Sequence, residues 1–498
     1  MLEDKKDKIY RRVLVWGLPL LILAASWCLN KPCFETNDDY NIMAILSGGI
    51  TGKPEALETY FCNYLWSFVV SSLYRITAIV PWYTIIELII IYTSLVVVFD
   101  YCLRSLNEKV VYGLMVFIWL YICLFCWYAT ILQYTVVPAF AGMAATLLII
   151  KEKDSSQNDK WKIARFVCFL LFALAAIIMR AEIGYVFVLA TFIYSLTLYI
   201  FYGFKSTKRY VISATIIQII TYIANRLFLR IDSWSDFAIY SLARSKWIDY
   251  PSLEYADNPK VYEAVGWSSE FYELARNWFF LDENFTTESL NKINANYNPT
   301  NNYSVIEAVK WILKTGPLNF HITVLAIIAL TVYVAIISKR KKEIIIIGGF
   351  VAGTISILLY LTYSGRLMYR VLYAIVLIFI LPACCLCFSE TKMREGIWKY
   401  QIIRHDTAIV GSIILLFSIL CEEGIYRGMS NYSAGVESQN KVVASMNEYA
   451  YDHPEKFYVY DTTLAWSGSV FTTFKPGKSS NLRFWGGGKH TLQLIKNS

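Results

Sequence analysis

Residues 82–103 read WYTIIELIIIYTSLVVVFDYCL, and this stretch decides the class of fold. It is almost entirely apolar. At about 1.5 Å of rise per residue, a helix of this length crosses the roughly 30 Å hydrocarbon core of a bilayer. The sequence therefore predicts a transmembrane helix here.

Ten further blocks share this length and composition, so we expect an all-α polytopic integral membrane protein with about eleven transmembrane helices. The other ten blocks are Val13–Leu29, Val110–Trp127, Thr135–Ile150, Ile163–Met179, Ile183–Phe204, Val211–Leu229, Asn319–Ile337, Ile344–Thr362, Tyr369–Phe388 and Thr407–Cys421. Hydrophobic residues make up 56% of the 498 residues and charged residues only 17%, whereas soluble domains carry about 25% charged residues. The composition therefore argues against a soluble enzyme, a disordered chain and a secreted disulfide scaffold.

The basic loops predict the orientation of the chain. Another apolar segment, Asn63–Ile79, carries Arg75 in its middle. If this segment lies along the outer surface as an amphipathic helix, the short Lys- and Arg-rich loops all fall in the cytoplasm, as the positive-inside rule requires. We therefore predict a multi-pass protein of the cell membrane, with a cytoplasmic N-terminus and an extracytoplasmic C-terminus.

Three longer segments are predicted to lie outside the membrane. A first outer loop, residues 30–81, and a large outer loop, residues 230–318, belong to a membrane domain that spans residues 1–421. Residues 422–498 are predicted to form a small extracytoplasmic α/β domain, with a helix around Lys441–Tyr449 and a strand at Phe457–Tyr460. The large outer loop is rich in Trp, Tyr and Asn, which fits either interfacial anchoring or a lid beside a sugar or lipid site.

Two adjacent acids, Asp38 and Asp39, closely follow the first span and precede a helical pattern of apolar residues. One interpretation is structural, because an Asn or Asp before a helix caps it and acids in the first turn suit the helix dipole. The other is that one carboxylate acts as a base at the membrane surface. The residue types alone favour the cap.

Several arginines fall at the outer ends of predicted spans, on the same side as the two acids. They are Arg180, Arg226, Arg230, Arg366 and Arg370. The positive-inside rule disfavours arginine on this side, so the cluster needs a specific reason, and a lipid phosphate suits the planar, permanently charged guanidinium group. For any single arginine, ordinary ion pairing such as Arg180 with Glu182 is the alternative.

A carboxylate base beside a phosphate-binding cluster is what transfer of a sugar from a polyprenyl-phosphate carrier requires. With its acidic pair Asp38 and Asp39, the surface helices after it and its many spans, the chain resembles the membrane glycosyltransferases of the C superfamily. The segment from Asn37 to Tyr83, which opens NDDYNIMAILSGGITGKPE, also looks like the opening of a bacterial branch of such proteins. The resemblance in architecture covers the whole chain, whereas the motif is only a few residues long.

The resemblance implies that Asp38 is the catalytic base and Asp39 its support, and that Lys53 points at the donor phosphate. From their positions we expect Arg180, Arg366 and Arg370 to bind the same phosphate, the last two from one helical face. The resemblance indicates no metal, because metal-dependent members of the family usually supply a second carboxylate from the outer turn that corresponds to residues 128–134 (YATILQY), and this turn contains no acid. Acids that could substitute as metal ligands are Glu182, Asp232 and Asp236.

The expected activity is that of an inverting, metal-independent glycosyltransferase, moving a hexose or pentose from a polyprenyl-phosphate-linked donor to a cell-envelope glycan, lipid or protein. The bilayer is the other expected partner. No basic patch interleaved with exposed aromatics suggests nucleic acid, and no Gly-rich phosphate loop suggests a nucleotide. Two alternatives stay open: an O-antigen-type polysaccharide polymerase or ligase, and a lipid or polysaccharide flippase.

Overall fold

The computed structural model describes residues 2–49, 54, 62–105, 110–151, 159–228, 232–277, 284–297, 304–337, 339–388, 403–456, 458–461, 469–473 and 482–485. Almost all regular structure in these residues is helical. The helices are α1 (Leu2–Leu29), α2 (Asn37–Leu46), α3 (Tyr64–Ile76), α4 (Trp82–Ser105), α5 (Val110–Leu120), α6 (Cys126–Thr130), α7 (Val137–Ile150), α8 (Asp159–Met179), α9 (Ala181–Tyr202), α10 (Lys208–Phe228), α11 (Asp232–Ile248), α12 (Pro259–Glu263), α13 (Ser269–Arg276), α14 (Thr287–Ala295), α15 (Val305–Lys314), α16 (Leu318–Ile337), α17 (Lys341–Tyr363), α18 (Tyr369–Phe388) and α19 (Ile403–Asp452).

Within the described residues, nine helices are long and apolar enough to cross a membrane, so the chain is an all-α, multi-pass membrane protein. These helical stretches are Tyr10–Leu29, Trp82–Arg104, Gly113–Thr130, Lys162–Met179, Ala181–Tyr202, Lys208–Phe228, Leu318–Ile336, Lys341–Tyr363 and Tyr369–Cys387. Each overlaps one of the predicted spans. The third combines α5 and α6 through a π-helical turn, Tyr121–Phe125, where the Tyr373 hydroxyl donates to the Leu124 carbonyl at 2.6 Å.

Helix α7 differs from the expected span Thr135–Ile150. It has 14 residues, all of them buried, and it packs against α4, α8, α9 and α18. A helix this short is typical of a protein core rather than of a lipid-facing span. Just after it, Lys151 Nζ lies 2.6 Å from Asp100 Oδ2 near the end of α4, so α7 is the buried axis around which the longer helices pack.

Helix α3 covers most of the segment Asn63–Ile79 and is only 13 residues long. A bilayer crossing needs about 20 residues. Residues at the two ends of α3 contact neighbouring helices. The Asn63 side chain donates to the Ile177 carbonyl of α8 at 2.8 Å, and the Tyr74 hydroxyl accepts from the Tyr83 backbone N–H of α4 at 3.3 Å. The chain therefore enters and leaves α3 near α2, on what we call the Asp38 side.

The large outer loop contains a small hydrophobic core of its own, which we call the outer aromatic subdomain (α11–α14, within residues 232–277 and 284–297). Its centre consists of fully or nearly fully buried rings from three helices and the connections between them. They are Tyr240, Trp247, Tyr262, Trp267, Tyr272 and Phe285. Trp267 lies edge-on to Trp247, with ring centroids 5.3 Å apart, a geometry that aromatic pairs prefer.

Helix α19 continues without interruption across the predicted domain boundary at residues 421 and 422. It contains the predicted span Thr407–Cys421, whose side chains lie outside the described residues, and the predicted helix around Lys441–Tyr449. After it, β3 (Tyr458–Asp461) pairs in parallel with β4 (Leu482–Trp485). The expected strand at Phe457–Tyr460 is therefore present, shifted by one residue.

Two very short strands bring the first outer loop to the bundle. β1 (Cys33–Phe34) pairs in parallel with β2 (Ile131–Leu132), and the Glu35 backbone N–H donates to the Leu132 carbonyl at 2.8 Å. From α19, the Tyr432 hydroxyl donates to the Phe34 carbonyl at 3.4 Å. These contacts hold the residues that precede α2 beside the turn between β2 and α7.

Candidate functional site

The two acids lie in the first turn of α2, and neither is its N-cap. Thr36 is the N-cap residue, with an extended backbone (φ −133°, ψ 158°) and no side-chain cap hydrogen bond. Its hydroxyl donates instead to Asp39 Oδ2 at 3.3 Å. The simple capping interpretation therefore does not explain the pair, although acids in a first turn still suit the helix dipole.

Asp39 is completely buried and ties three segments together. Its Oδ1 atom accepts from the Tyr83 hydroxyl of α4 at 3.0 Å and from the Tyr134 backbone N–H at 2.9 Å. Burial raises the pKa of Asp39 well above its ordinary value of 3.8, and the hydrogen bond from Tyr83 opposes that rise. With its oxygens occupied, Asp39 holds α2 in place and is poorly placed to meet a ligand.

Asp38 differs from its neighbour because it is only partly buried and has one hydrogen-bond donor among the described residues, the Tyr134 hydroxyl at 3.3 Å from Oδ2. Burial raises the pKa of Asp38, while the positive charge of Arg370 and the hydroxyl of Tyr134 oppose the rise. The charge of Arg180 acts in the same direction as that of Arg370. Asp38 is thus a carboxylate with spare hydrogen-bonding capacity within the electrostatic influence of two arginines.

Arg180 is the residue before α9, and its guanidinium group stacks over the Tyr134 ring, with Cζ 4.6 Å from the ring centroid. Its Nε atom lies 3.2 Å from Glu182 Oε2. Nevertheless Nε and Nη1 are buried and make no hydrogen bond within the described part of the chain. The ion pair with Glu182 contributes little to the binding of this guanidinium group, because the Glu182 side chain is 72% exposed and exposed ion pairs are weak.

Arg370 lies in the first turn of α18 and acts on two carboxylates. Its charge opposes the burial-driven rise in pKa of both Asp38 and Glu35. Glu35 Oε1 accepts from the Tyr128 hydroxyl at 3.0 Å, whereas Glu35 Oε2 is buried without a hydrogen bond. We call Glu35, Asp38, Asp39, Arg180 and Arg370 the carboxylate–arginine site.

Arg366 and Arg370 are not on one helix, contrary to the expectation from their spacing. Residues 366–368 are not helical and α18 begins at Tyr369, so Arg366 and Arg370 do not share a helical face. Arg366 instead donates to the Tyr250 hydroxyl at 2.9 Å and to Asp249 Oδ2 at 3.2 Å. It therefore attaches the end of α11 and the residues after it to the bundle.

Of the remaining predicted site residues, the structure describes the side chains of two, Glu182 and Asp236. Glu182 is exposed and contacts Arg180, and Asp236 is exposed on α11. Asp232 begins α11, but its side chain lies outside the described residues, as does Lys53. Among the residues that the structure describes, no group of three or more His, Cys, Asp or Glu side chains is arranged to hold a metal ion.

Sequence reasoning missed three acids near the pair formed by Asp38 and Asp39. Glu87 is fully buried in α4, four residues after Tyr83, and its occurrence within an apolar span was a usable signal, because acids in spans are costly and commonly functional. Glu35 directly follows β1, a two-residue strand that no local sequence pattern reveals. Asp249, whose charge acts on Asp38, is brought near by the fold from more than 200 residues away.

The fold and the site define a multi-pass membrane protein with buried carboxylates and arginines at one end of its helices. No protein-family model, no curated protein and no solved structure matches the chain.

Proposed function

We propose that this protein is a glycosyltransferase that uses a polyprenyl-phosphate-linked sugar and acts at the Asp38 side of the membrane, like the C-superfamily enzymes that its sequence resembles. The observation that supports the proposal best is the contrast within the acidic pair. Asp39 is buried and both of its oxygens accept hydrogen bonds, while Asp38 is partly exposed and lies within the electrostatic influence of Arg180 and Arg370. A base needs a free carboxylate, and a departing phosphate needs cations beside it.

In the proposed reaction, the hydroxyl oxygen of the acceptor forms a bond to the anomeric carbon of the donor sugar. The bond from that carbon to the phosphate oxygen breaks, and its electron pair stays on the departing polyprenyl phosphate. Asp38 takes the proton of the hydroxyl group, and the guanidinium groups of Arg370 and Arg180 stabilise the charge on the phosphate. A single displacement of this kind inverts the anomeric centre.

The surroundings of Asp38 support the role of a base. A general base works best when its pKa lies near the operating pH, and burial moves the pKa of Asp38 upward from 3.8 while the two arginines limit the rise. Asp39 fixes the backbone of Tyr134, and the hydroxyl of Tyr134 contacts Asp38. Asp39 is therefore assigned as a positioning residue.

Polyprenyl phosphate is the most informative probe, because it is the common product whichever sugar is transferred. The purified full chain should bind polyprenyl phosphate and bind the uncharged polyprenol at least tenfold more weakly, since only the phosphate engages the arginines. Equal binding of the two lipids would contradict the proposal. A matched control is Arg276→Gln, which removes an arginine that lies in the outer aromatic subdomain beside Glu254.

A further inference from the structure

A second feature of the Asp38 side lies away from the carboxylate–arginine site. It is a cavity of about 560 Å³ between α10 and α11, a volume within the range of small-molecule sites. Its described walls are mostly apolar and include one charged side chain. The lining residues are Tyr222, Ile223, Arg226, Leu227, Ser235, Ala238 and Ile239.

The cavity faces away from the bundle. Helix α10 is one of the candidate spans, and Asn225 on its inner face accepts from the Tyr64 backbone N–H at 2.8 Å. The cavity residues of α10 lie on another face, where Ile223 and Leu227 are 49% and 60% exposed. In a membrane this apolar face contacts lipid, and the contact between Asn225 and Tyr64 places it at the Asp38 end of α10.

Arg226 is the charged residue of this cavity among the residues that the structure describes. Its Nε atom donates to the Tyr222 hydroxyl at 3.1 Å, and its Cζ atom lies 5.2 Å from the Tyr222 ring centroid. Within the described residues Arg226 forms no ion pair, whereas Arg276 and Arg366 each contact a carboxylate. Its terminal nitrogens, Nη1 and Nη2, are left to bind an anion at the membrane surface.

We propose that this cavity binds one anionic glycerophospholipid of the bilayer, with the lipid phosphate on Arg226 and the start of an acyl chain against Ile223, Leu227 and Ile239. Charge complementarity selects the occupant, because Arg226, the one charged lining residue that the structure describes, is a cation at the polar end of an apolar wall. Guanidinium groups bind phosphate oxygens through paired hydrogen bonds. The site faces the bilayer and not Asp38, so a structural lipid fits it better than the sugar donor, and the proposal is independent of the proposed function.

The test uses the purified full chain and native mass spectrometry with phosphatidylglycerol or phosphatidylcholine added. We expect one phosphatidylglycerol to be retained in preference to phosphatidylcholine. Arg226→Gln should weaken that retention about tenfold, the loss expected when a charged contact to phosphate is removed. The matched control is Arg75→Gln, because Arg75 is also exposed on the Asp38 side, where it donates to the Pro54 carbonyl. The Arg75→Gln variant should retain phosphatidylglycerol as well as the unmodified protein does.

A second variant separates the cavity from the charge. Ala238→Trp fills the space while leaving Arg226 in place, and it should also release the phospholipid. Equal retention of the two lipids by the unmodified protein would overturn the proposal, as would equal effects of Arg226→Gln and Arg75→Gln. The proposal would also be overturned if polyprenyl phosphate displaced phosphatidylglycerol and this displacement depended on both Arg226 and Arg370. The cavity would then be part of the site that binds the sugar donor.

Discussion

Two regions on the Asp38 side differ in what fills their interiors. The outer aromatic subdomain is filled by rings, and both of its fully buried indoles within the described residues donate hydrogen bonds: Trp247 donates to the Tyr262 hydroxyl at 3.1 Å and Trp267 to the Asn284 carbonyl at 3.3 Å. In the carboxylate–arginine site the buried groups are carboxyl and guanidinium groups, and buried atoms of Glu35 and Arg180 make no hydrogen bond within the described residues. Because an unsatisfied buried polar group costs about 1–3 kcal/mol unless a ligand satisfies it, we expect changes in the first region to lower stability and changes in the second to affect the proposed ligand binding.

The largest expected effect is at Asp38. Asp38→Asn keeps the size of the side chain and removes the proton acceptor, so sugar transfer should fall by about two to four orders of magnitude, the usual worth of a general base. The thermal stability of the solubilised protein should stay the same, because Asp38 makes one hydrogen bond within the described residues. Near-normal transfer by this variant would remove Asp38 as the base.

The opposite behaviour is expected in the outer aromatic subdomain. Trp267→Ala removes a fully buried ring and should destabilise the subdomain by about 3–5 kcal/mol. Limited proteolysis should then cut between residues 232 and 297, while the membrane helices keep their hydrogen-exchange protection. Loss of protection in the helices as well would show that the subdomain does not have an independent core.

Arg366 and Arg370 sharpen the comparison, because Arg366 contacts the outer aromatic subdomain and Arg370 belongs to the carboxylate–arginine site. Arg370→Lys keeps the charge but loses the planar fork, and it should weaken polyprenyl-phosphate binding by about 1–3 kcal/mol without changing stability. Arg366→Lys should leave that affinity unchanged and loosen the contact with Asp249 and Tyr250. Ligand titrations followed by microscale thermophoresis distinguish the two variants, and equal losses of affinity would return Arg366 to the phosphate site.

A smaller effect is expected in the pH dependence. Asp38 acts as a base only when it is deprotonated, and the charge of Arg370 lowers its pKa. Arg370→Gln should therefore raise that pKa and move the acid limb of the kcat/KM profile to higher pH, whereas Arg370→Lys should leave the limb nearly in place. If the acid limb of the kcat/KM profile does not move in Arg370→Gln, a group other than Asp38 titrates there.

The sequence predicts the membrane helices well because a lipid-facing helix needs an unbroken apolar run of bilayer length. It overestimates the length of α7 because a helix enclosed by other helices need not match the bilayer. The acids and arginines near Asp38 could be named in part, since charges at span ends stand out. The pairing of these residues could not be predicted, because the partner of Arg366 is Asp249, 117 residues earlier in the chain.

The most direct measurement is a structure of the full chain with polyprenyl phosphate bound, determined by cryo-electron microscopy. The proposed function predicts that the phosphate lies within about 3 Å of the guanidinium nitrogens of Arg370 and Arg180, with the Asp38 carboxylate facing the space where the sugar and the acceptor would meet. A phosphate bound away from both arginines, with Asp38 enclosed by protein, would contradict the assignment of this site to sugar transfer.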